Sequence, residues 1–515
     1  MAKGGWIGAL WLALLLLLLS ACGGPESPEL TPSPEPTVTP TSVEPEAFTL
    51  PCYPDSGFHP IQGTNRTNLA LGGLVYEGLY EVDPSFEAQP VLAVSSTVSE
   101  DGLTWTFTLR QGVTFSDGTA LTAQDVVTSL NLARESALYS ARLSAITSVT
   151  AGEGTVVIRL STPNSVLPVL LDIPVIKGEG DWPLGTGPYV LTGSGSELSL
   201  TARQGWWRGE ELPVESISLY AIQETDDLLY AFDTREISMV YTDLTGSNAL
   251  GFAGSYETLD YPTSVLLYVG FNTRSGLCRD AALRRALSYG MDRSTVATAL
   301  LSRHAQAAAL PFHPDSALWD DTLAASLAYA PQTMLEQLEE AGWSRSGETM
   351  VKGRQTLSLR LLVNQENTYK VGVADYLATT LSQSGVAVTV EKLPWESYTA
   401  ALSKGDFDLY LGEARLTADF DLTPLVGSGG ALNYGGFYNA TVTNLVNSLR
   451  AATGDARPVA ATALAQELAQ QAPFVPLCFK NWSLLSQWGQ VSGLTATQQN
   501  VFYQFWNWSV AGGAN

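Results

Sequence analysis

The chain has 515 residues, of which 27 are Lys or Arg and 51 are Asp or Glu, so its formal net charge at pH 7 is −24. Binding to nucleic acid or to an anionic lipid surface depends on basic residues, and this charge therefore argues against both as partners. The length is enough for two or three domains.

The N-terminal segment has the pattern of a secretion signal. Lys3 precedes an apolar run of about 13 residues that ends at Leu19. A helix needs roughly 20 apolar residues to cross a bilayer, so this run is too short for a span and is typical of a signal peptide. The run closes with Leu19-Ser20-Ala21-Cys22, which resembles a bacterial lipobox. We expect residues 1–21 to be removed and Cys22 to be lipidated; a secretory signal with a chance cysteine is the alternative.

Residues 22–47 form the next segment, which is rich in Pro, Glu, Thr and Ser and has no aromatic residue. Such a composition cannot bury enough apolar surface to offset the entropy lost on ordering, and its prolines favour extended conformations. We therefore expect a lipid-anchored tether that holds a folded body at the extracellular face of the cell membrane.

Beyond the tether, short β-like runs alternate with helical segments. Their patterns predict four strands, over Thr104–Leu109, Val156–Leu160, Leu357–Val363 and Val386–Val390. Helical spacing predicts a helix over Gln365–Leu381 and one or two helices over Asp280–Leu300. This alternation indicates an α/β body. No segment after the signal approaches 18 consecutive apolar residues, so the sequence predicts no membrane-spanning helix.

A long ordered motif begins the body. It runs through five segments, Val75–Tyr80, Gln89–Ala93, Asp101–Arg110, Val113–Gly118 and Leu121–Val127. The order predicts a strand, an Asp-Gly turn, a second strand and a helix with Thr122 as its N-cap. Gly78, Gly102 and Gly118 fall where tight turns or close backbone packing are expected.

Seven further motifs follow, in the order Gly185–Tyr189 (GTGPY), Trp206–Gly209 (WWRG), Val269–Thr273 (VGFNT), Leu283–Arg293 (LRRALSYGMDR), Glu339–Trp343 (EEAGW), Lys404–Leu409 (KGDFDL) and Ala472–Leu477 (APFVPL). Each motif is weak alone. Their order and spacing, over about residues 69–477, closely resemble the family 5 extracellular solute-binding proteins of ABC transporters. The resemblance implies an α/β, bilobal, periplasmic-binding-protein-like fold of type II, with an extra domain and a ligand cleft between the lobes.

The resemblance also implies a domain plan. Lobe I is expected to be discontinuous and to comprise residues 48–69, 181–267 and 483–515. An extra domain over residues 70–180 is inserted into it, and lobe II spans residues 268–482. Two chain crossings, near residues 268–271 and 480–484, are expected to form a hinge, and a ligand that contacts both lobes would favour their closure.

A protein of this family is expected to capture oligopeptides and to deliver them to an ABC permease that separate ATPase subunits drive. The resemblance leaves a nickel chelate or an oligosaccharide open as the ligand, and a solute sensor without transport open as the function. The sequence has no GxxxxGK(S/T) nucleotide loop and no recognised catalytic motif. We therefore expect a protein that is not an enzyme, needs no cofactor and is a monomer.

The stretch Ala418-Asp419-Phe420-Asp421 is the sharpest candidate for ligand contact. In peptide-binding relatives, the first Asp of the matching stretch pairs with the α-amino group of the peptide, and Asp419 takes that position here. Asp421 is the second candidate. Leu416 stands where a Trp is usual and Leu422 where a Pro is usual, so we expect a reshaped pocket or a ligand without a free amine. The alternative is that Asp419 caps a turn.

Other candidates carry weaker signals. Arg415 is a candidate partner for a ligand carboxylate, with a structural ion pair as the alternative. The remaining candidates are Trp395 near the cleft, Asn433 and Tyr434 as hydrogen-bonding groups, and Phe271 and Asn272 at the hinge. Gln62, Thr64 and Asn65 are candidates on an edge strand, expected over Gln62–Arg66, that pairs with an extended peptide backbone.

The sequence predicts no metal site, because His59, His304 and His313 form no close ligand pair. A nickel chelate held mainly through its organic ligand would not need one. Cys52, Cys278 and Cys478 allow one disulfide at most, and buried or idle thiols are the simpler expectation.

Overall fold

The structure is a computed structural model that describes residues 47–511. The predicted signal peptide, the predicted lipidation site Cys22 and the tether as far as residue 46 lie outside the described residues. Within residues 47–511, no helix is both long enough and apolar enough to cross a membrane.

The described part of the chain contains 22 strands. In chain order they are β1 (Thr49–Cys52), β2 (Tyr80–Val82), β3 (Ala88–Pro90), β4 (Ala93–Val98), β5 (Thr104–Leu109), β6 (Ile146–Gly152), β7 (Thr155–Leu160), β8 (Tyr189–Thr192), β9 (Ser199–Ala202), β10 (Ser216–Ala221), β11 (Met239–Thr242), β12 (Tyr256–Phe271), β13 (Ala305–Ala307), β14 (Ser344–Ser346), β15 (Thr349–Lys352), β16 (Gln355–Thr356), β17 (Ser358–Asn364), β18 (Ala387–Leu393), β19 (Leu409–Arg415), β20 (Phe474–Gln487), β21 (Val491–Ser492) and β22 (Ser509–Val510).

The same residues contain 12 α-helices. They are α1 (Arg66–Val75), α2 (Ala123–Glu135), α3 (Thr225–Asp233), α4 (Ala281–Ser288), α5 (Arg293–Thr295), α6 (Asp321–Ser326), α7 (Pro331–Glu340), α8 (Thr368–Gln383), α9 (Trp395–Lys404), α10 (Thr423–Val426), α11 (Ala440–Ala451) and α12 (Ala456–Gln471). Short 3₁₀ segments lie at Pro54–Ser56, Leu167–Leu170, Gly195–Glu197, Leu277–Arg279 and Phe505–Asn507, and a π-helical turn lies at Val296–Leu300.

The elements predicted from sequence periodicity are present. β5 has the predicted bounds, and β7, β17, β18 and α8 overlap their predicted segments. Thr122 caps α2 as predicted: its backbone N–H donates to the Asp125 carboxylate (2.8 Å), and the Asp125 N–H donates to the Thr122 hydroxyl (3.3 Å). The segment Asp280–Leu300 breaks after α4, because Asp292 caps a new helical turn through its bond from the Thr295 N–H.

Three sheets organise the fold. β1, β10, β9 and β8 form a four-stranded sheet, in that order, within the predicted lobe I. β4, β5, β7 and β6 form a second four-stranded sheet within the predicted extra domain. The largest sheet has seven strands, with the order β11-β20-β12-β19-β17-β18 and with β13 paired to β20.

The two long strands β12 and β20 connect the predicted lobes. They pair antiparallel from Tyr256–Gln487 at one end to Gly270–Phe474 at the other. β20 also pairs with β11 over Ser483–Ser486, and β12 pairs with β19 over Val265–Phe271. The register shifts between Pro262 and Leu266, where the ladder is interrupted. Such a break locally bends a strand pair, and this one lies beside the predicted crossing at residues 480–484.

One predicted domain boundary falls inside a helix. Residue 70 lies within α1, and the α1 side chains Leu71 and Leu74 are buried in the same apolar cluster as Leu50 and Ile217 from β1 and β10. α1 therefore packs as a unit against the sheet of the predicted lobe I. We propose that the extra domain begins after α1 rather than at residue 70.

Three of the sequence motifs meet at the carboxylate of Glu77, whose side chain is 9% exposed. It accepts hydrogen bonds from the Thr186 hydroxyl (2.7 Å) and from the indole N–H groups of Trp207 (2.7 Å) and Trp206 (3.3 Å). Burial raises the pKa of the Glu77 carboxyl, and these donors oppose that rise. Gly185 is needed nearby, because a Cβ there would lie 2.0 Å from the carbonyl oxygen of Val75.

The three described cysteines, Cys52, Cys278 and Cys478, are buried and free. Burial raises the pKa of the Cys52 thiol to about 11, and it also raises the pKa of the other two thiols. Cys278 and Cys478 lie in one apolar cluster and act there as small core side chains.

Candidate functional site

A cavity of about 1070 Å³ lies where the predicted lobes and the predicted extra domain meet. Its lining residues fall within the ranges 60–82, 135–146, 160–174, 206–208, 415–421 and 498–506, joined by a few residues from other segments. Ligand pockets commonly have volumes of about 300–1,000 Å³. The cavity is therefore large enough for a peptide of several residues, and it is the candidate ligand site.

Asp419 lies in the cavity wall, just beyond the end of β19. Its carboxylate accepts one hydrogen bond from the Thr417 hydroxyl (2.5 Å) and one from the side-chain amide of Asn164 (3.0 Å), which belongs to the predicted extra domain. Arg457 donates to the Asp419 backbone carbonyl (2.9 Å) and not to the carboxylate. Because the carboxylate has only neutral hydrogen-bond donors among the described residues, its charge is available to a cationic group of a ligand.

Phe420 fixes the direction of its two acidic neighbours. Its φ of 54° lies in the left-handed region, which costs a bulky residue on the order of 1–2 kcal/mol. The ring is fully buried and packs edge-on against Phe86, Phe312 and Phe479. This aromatic packing offsets the cost of the left-handed backbone at Phe420. It holds the backbone there in one conformation, which sets the positions of Asp419 and Asp421.

Asp421 also lines the cavity, but its carboxylate is already engaged. Arg450 donates to one oxygen (2.6 Å), and the Thr423 hydroxyl (2.7 Å) and N–H (3.0 Å) donate to the other. Asp421 thus bonds to the first residue of α10, two positions further along the chain, and forms an ion pair with Arg450. Asp421 therefore has a structural role in this conformation, while its contact with a ligand stays a prediction.

Arg415 extends from the last residue of β19 into the cavity. Its guanidinium carbon lies 4.6 Å from the ring centroid of Trp482, and that of Arg66 lies 5.6 Å from the same centroid. Both distances are typical of cation–π contacts. Burial lowers the pKa of Arg415, and the positive charge of Arg66 lowers it further. The structural ion pair that was the alternative for Arg415 is not formed among the described residues.

A buried ionic cluster lies beside this pair. Lys480, which is 1% exposed, donates to Asp243 (2.6 Å) and to Glu413 (3.5 Å), and Glu413 also pairs with Lys370 (3.1 Å). Burial acts to raise the pKa of Glu413, but the two lysines outweigh it, and the pKa is lowered. The cluster joins β19, β20 and α8 to Asp243, the residue that follows β11, and both carboxylates are paired with lysine.

Of the three residues predicted on an edge strand, two line the cavity and one caps a helix. Gln62 and Thr64 line the cavity. Asn65 instead caps α1, accepting from the Asn68 N–H (3.1 Å). The predicted edge strand over Gln62–Arg66 is wrong: the segment is a loop that leads into α1, because the Asn65 cap starts the helix at Arg66.

Five predicted residues lie away from the cavity. The Trp395 side chain is 57% exposed on α9 and contacts Tyr398. The Asn433 amide donates to two backbone carbonyls of its own loop, and Tyr434 packs against Tyr410. Phe271 is a core residue at the end of β12, and the Asn272 amide donates to the carbonyls of Gly405 and Phe407. None of the five lines the cavity in this conformation, and their contact with a ligand stays a prediction.

Sequence reasoning missed Arg66, Asn164 and Trp482. Arg66 was assigned to the predicted strand, and Asn164 lies in a loop with no local signal. Trp482 comes from β20, far along the chain, and reaches the site only through the pairing of β20 with β12. Its position at the predicted crossing was the one available hint.

No group of three or more His, Cys, Asp and Glu side chains within residues 47–511 is placed to hold a metal ion. His304 is paired with Asp260 (2.9 Å), and His59 accepts from backbone N–H groups through Nδ1. His313 is fully buried between Phe86 and Phe479. Each described histidine therefore has a local structural role.

The fold and the cleft define a class, the bilobal solute-binding proteins. A family model, "Bacterial extracellular solute-binding proteins, family 5 Middle", matches residues 87–430. The chain belongs to this family, which confirms the resemblance found in the motifs. Protein XP55 of Streptomyces lividans is 30% identical over 346 residues, and the match covers 62% of each chain.

Solved structures confirm the fold. The oligopeptide-binding protein AppA from Bacillus subtilis, in complex with a nonapeptide, has a TM-score of 0.60 at 19% identity, over 90% of this chain and 98% of that one. NikA from Brucella suis, in complex with Fe(III)-EDTA, has a TM-score of 0.69 at 22% identity, over 90% of this chain and 99% of that one. At these identities the likeness shows the α/β, periplasmic-binding-protein-like architecture and leaves the ligand of this chain to be determined.

Proposed function

We propose that this protein binds oligopeptides in the cavity, closes its lobes around them and delivers them to the permease of an ABC importer, which separate ATPase subunits drive. The observation that carries the proposal is the position of Asp419. Its carboxylate lies in the wall of a cavity of about 1070 Å³ and, among residues 47–511, accepts hydrogen bonds only from neutral donors. A peptide α-amino group is the cation that this position is expected to bind.

Closure is proposed to occur about β12 and β20. These two strands join the predicted lobes, and the interrupted pairing between Pro262 and Leu266 gives a place where the strand pair can bend. A ligand that contacts both lobes shifts the equilibrium by its difference in affinity for the two forms. A shift from 1:99 to 99:1 needs about 5.5 kcal/mol of such a difference.

An oligosaccharide is the second candidate ligand. Trp206, Trp482 and Trp506 line the cavity, and indole rings offer flat apolar surfaces to sugar rings. A nickel chelate carried through its organic part is the third, and a sensor that does not transport is the alternative function. All of these alternatives require a ligand in the same cleft, so one binding screen can compare the three classes of ligand.

A thermal-shift screen of the described body tests the proposal. Di- to hexapeptides, oligosaccharides and nickel chelates are added separately, since any compound that binds the native state raises the melting temperature by mass action. Peptides are expected to raise it and the other two classes are not. A shift with sugars or chelates alone would overturn the peptide assignment. Pull-down of a permease by the peptide-loaded protein would separate transport from sensing.

We also propose that Cys22 carries the lipid that holds the protein at the extracellular face of the membrane. The motif Leu19-Ser20-Ala21-Cys22 supports this assignment. Metabolic labelling with a radioactive fatty acid should mark the wild-type protein and not Cys22→Ala. Equal labelling of both would contradict the assignment.

A further inference from the structure

Gln498 joins the cavity to the break in the β12–β20 ladder. It lines the cavity and belongs to the C-terminal segment of the predicted lobe I. Its side-chain oxygen accepts a hydrogen bond from the backbone N–H of Ser264 (2.5 Å). Ser264 is fully buried within β12. One polar side chain at the ligand site therefore contacts the strand about which closure is proposed.

The break leaves backbone groups of β12 without the usual partners on β20. Three residues of β12, 263–265, lie opposite the single residue Lys480. Buried backbone groups need hydrogen-bond partners, and side chains provide them here. The Thr263 hydroxyl donates to the Lys480 carbonyl (2.6 Å), and the Gln498 oxygen accepts from Ser264 (2.5 Å). Gln498 therefore supplies an acceptor that the strand pair lacks.

Ser264 also contacts the segment that leads to Asp419. The Leu416 N–H donates to the Ser264 carbonyl (3.0 Å). The Ser264 hydroxyl lies 2.6 Å from the Leu416 carbonyl oxygen and 3.1 Å from the Gln498 side-chain oxygen, and its single hydrogen serves these two acceptors. Leu416 lines the cavity three residues before Asp419. A hydrogen-bonded bridge thus runs from the predicted lobe I, through β12, to the predicted lobe II.

The contact with Ser264 fixes the orientation of the Gln498 amide. A main-chain N–H must face the amide oxygen, so the amide NH₂ group is directed away from Ser264. Within residues 47–511 this NH₂ group has no acceptor, and its nitrogen is not enclosed by the protein. The supporting loop is held by two bonds: the Thr497 N–H donates to the Asn500 carbonyl (3.0 Å), and the Asn500 N–H donates to the Thr497 hydroxyl (3.0 Å). The cavity wall therefore presents an oriented donor that is available to a ligand.

We propose that the Gln498 amide donates a hydrogen bond to a carbonyl oxygen of the bound peptide, and that Ser264 links this contact to the bend between the lobes. This inference rests on the proposed function and names the ligand atom that the donor meets. An extended peptide advances about 3.3 Å per residue and has a carbonyl group at each one, so a carbonyl oxygen can reach the amide. Hydrogen bonds to the amide oxygen also polarise the amide and strengthen its N–H groups as donors.

The bridge couples the peptide to closure. Gln498 and Leu416 belong to different predicted lobes, and Ser264 contacts both where the strand pair is interrupted. A peptide that binds the Gln498 amide stabilises the arrangement of the lobes in which this bridge is intact. Ser264 is fully buried and lies outside the cavity lining, so it acts through Gln498 and is a positioning residue.

Isothermal titration with tetra-alanine and its three thioamide analogues tests the contact. Each analogue has sulfur in place of one amide oxygen, and sulfur is a weaker hydrogen-bond acceptor. Wild-type protein should bind at least one analogue about 3- to 10-fold more weakly than tetra-alanine, as expected when one neutral hydrogen bond is lost. In Gln498→Leu this penalty should disappear at one position. Penalties that are the same in the variant and the wild type at all three positions would overturn the proposal.

Two further variants control for folding and for the change of side chain. Gln498→Glu keeps an acceptor for the Ser264 N–H but has no amide donor, so it should lose the same penalty while the break stays satisfied. Gln383→Leu is the matched control, because Gln383 is exposed at the end of α8 and lies outside the cavity lining. It should keep the wild-type penalties. A full penalty in Gln498→Glu would contradict the assignment.

Two buried hydroxyl groups separate the link through Ser264 from a general loss of stability. Ser264→Ala and Thr263→Val each remove a hydroxyl that donates to a carbonyl at the break, so both should lower the melting temperature. Ser264→Ala alone should reduce the thioamide penalty, by about 2-fold, because Ser264 contacts Gln498. Equal penalties in the two variants would overturn the link.

The titrations also distinguish this inference from the proposed function. If the wild-type protein binds no peptide, the proposed function and the role of Gln498 fail together. If it binds tetra-alanine with penalties that Gln498→Leu leaves unchanged, peptide binding stands and the role of Gln498 alone is overturned.

Discussion

Two polar clusters in this protein differ in whether their charged groups have partners within the protein. The cluster around Glu77 is self-contained: a nearly buried carboxylate has hydrogen-bond donors on Thr186, Trp206 and Trp207. The second cluster, Arg66 and Arg415 beside the indole of Trp482, is incomplete, because both arginines are exposed to solvent and have no carboxylate partner among the described residues. Both clusters line the cavity, but the Glu77 carboxylate is satisfied within the protein, whereas the two exposed guanidinium groups remain open to solvent or to a ligand. Three of the family motifs contribute residues to the first cluster, whereas Arg66, Arg415 and Trp482 of the second lie in none of them.

The largest expected effect is a loss of stability when the carboxylate of the complete cluster is removed. Glu77→Ala removes the acceptor from the Thr186 hydroxyl and two indole N–H groups, and it leaves Arg208 with one carboxylate fewer. We expect a loss of about 3–5 kcal/mol in the free energy of unfolding, as for other buried partners that are removed. Urea unfolding measures it. Glu100→Ala, at an exposed turn position, should change stability little; equal losses in both variants would show that the Glu77 network is not stabilising.

The second effect is the dependence of stability on pH, which two histidines outside both clusters are expected to change in opposite directions. His313 is fully buried, and its Nδ1 accepts from the Asp315 N–H (3.0 Å), so burial lowers its pKa to about 4. Its contribution to stability is present above about pH 6.5 and is lost as the pH falls towards 4, because the unfolded state binds the proton first. The loss amounts to about 3 kcal/mol. His313→Gln should flatten this acid dependence by that amount.

His304 provides the opposing control. Its hydrogen bond with Asp260 raises its pKa, so its contribution is present below about pH 6.5 and is lost as the pH rises through the folded-state pKa. His304→Gln should therefore lower the free energy of unfolding at and below about pH 6.5 and leave it little changed at higher pH, which urea unfolding over a series of pH values measures.

The smallest effect concerns Asp419. Asp419→Ala should weaken a peptide with a free α-amino group about 10- to 100-fold, and the N-acetylated peptide far less, because only the former presents a cation. Titration calorimetry with the two peptides measures the difference. Asp421→Asn is the matched variant, since that carboxylate is held by Arg450, and it should not distinguish the two peptides. An equal loss for both peptides in Asp419→Ala would rule out amine recognition.

Much of the scaffold was predictable because its signals are local. The alternation in β5 and the cap at Thr122 depend on neighbouring residues, and both predictions are confirmed. The predicted edge strand was wrong because Asn65, a residue with a strong capping preference, starts α1 there. The boundary at residue 70 cut through α1 because a motif comparison aligns segments and does not show which sheet a helix packs against.

The family, the α/β class and one wall of the cleft can be predicted from the order of the residues, because ordered motifs and side-chain periodicity are properties of neighbouring residues. Which charges remain unpaired depends on how distant segments pack together. Asp421 pairs with Arg450, and Lys480 pairs with Asp243 and Glu413. Arg415 forms no ion pair among the described residues and instead contacts the ring of Trp482, as Arg66 does. The pairing of charges depends on distances between segments that are far apart along the chain, and the long β12–β20 ladder sets those distances.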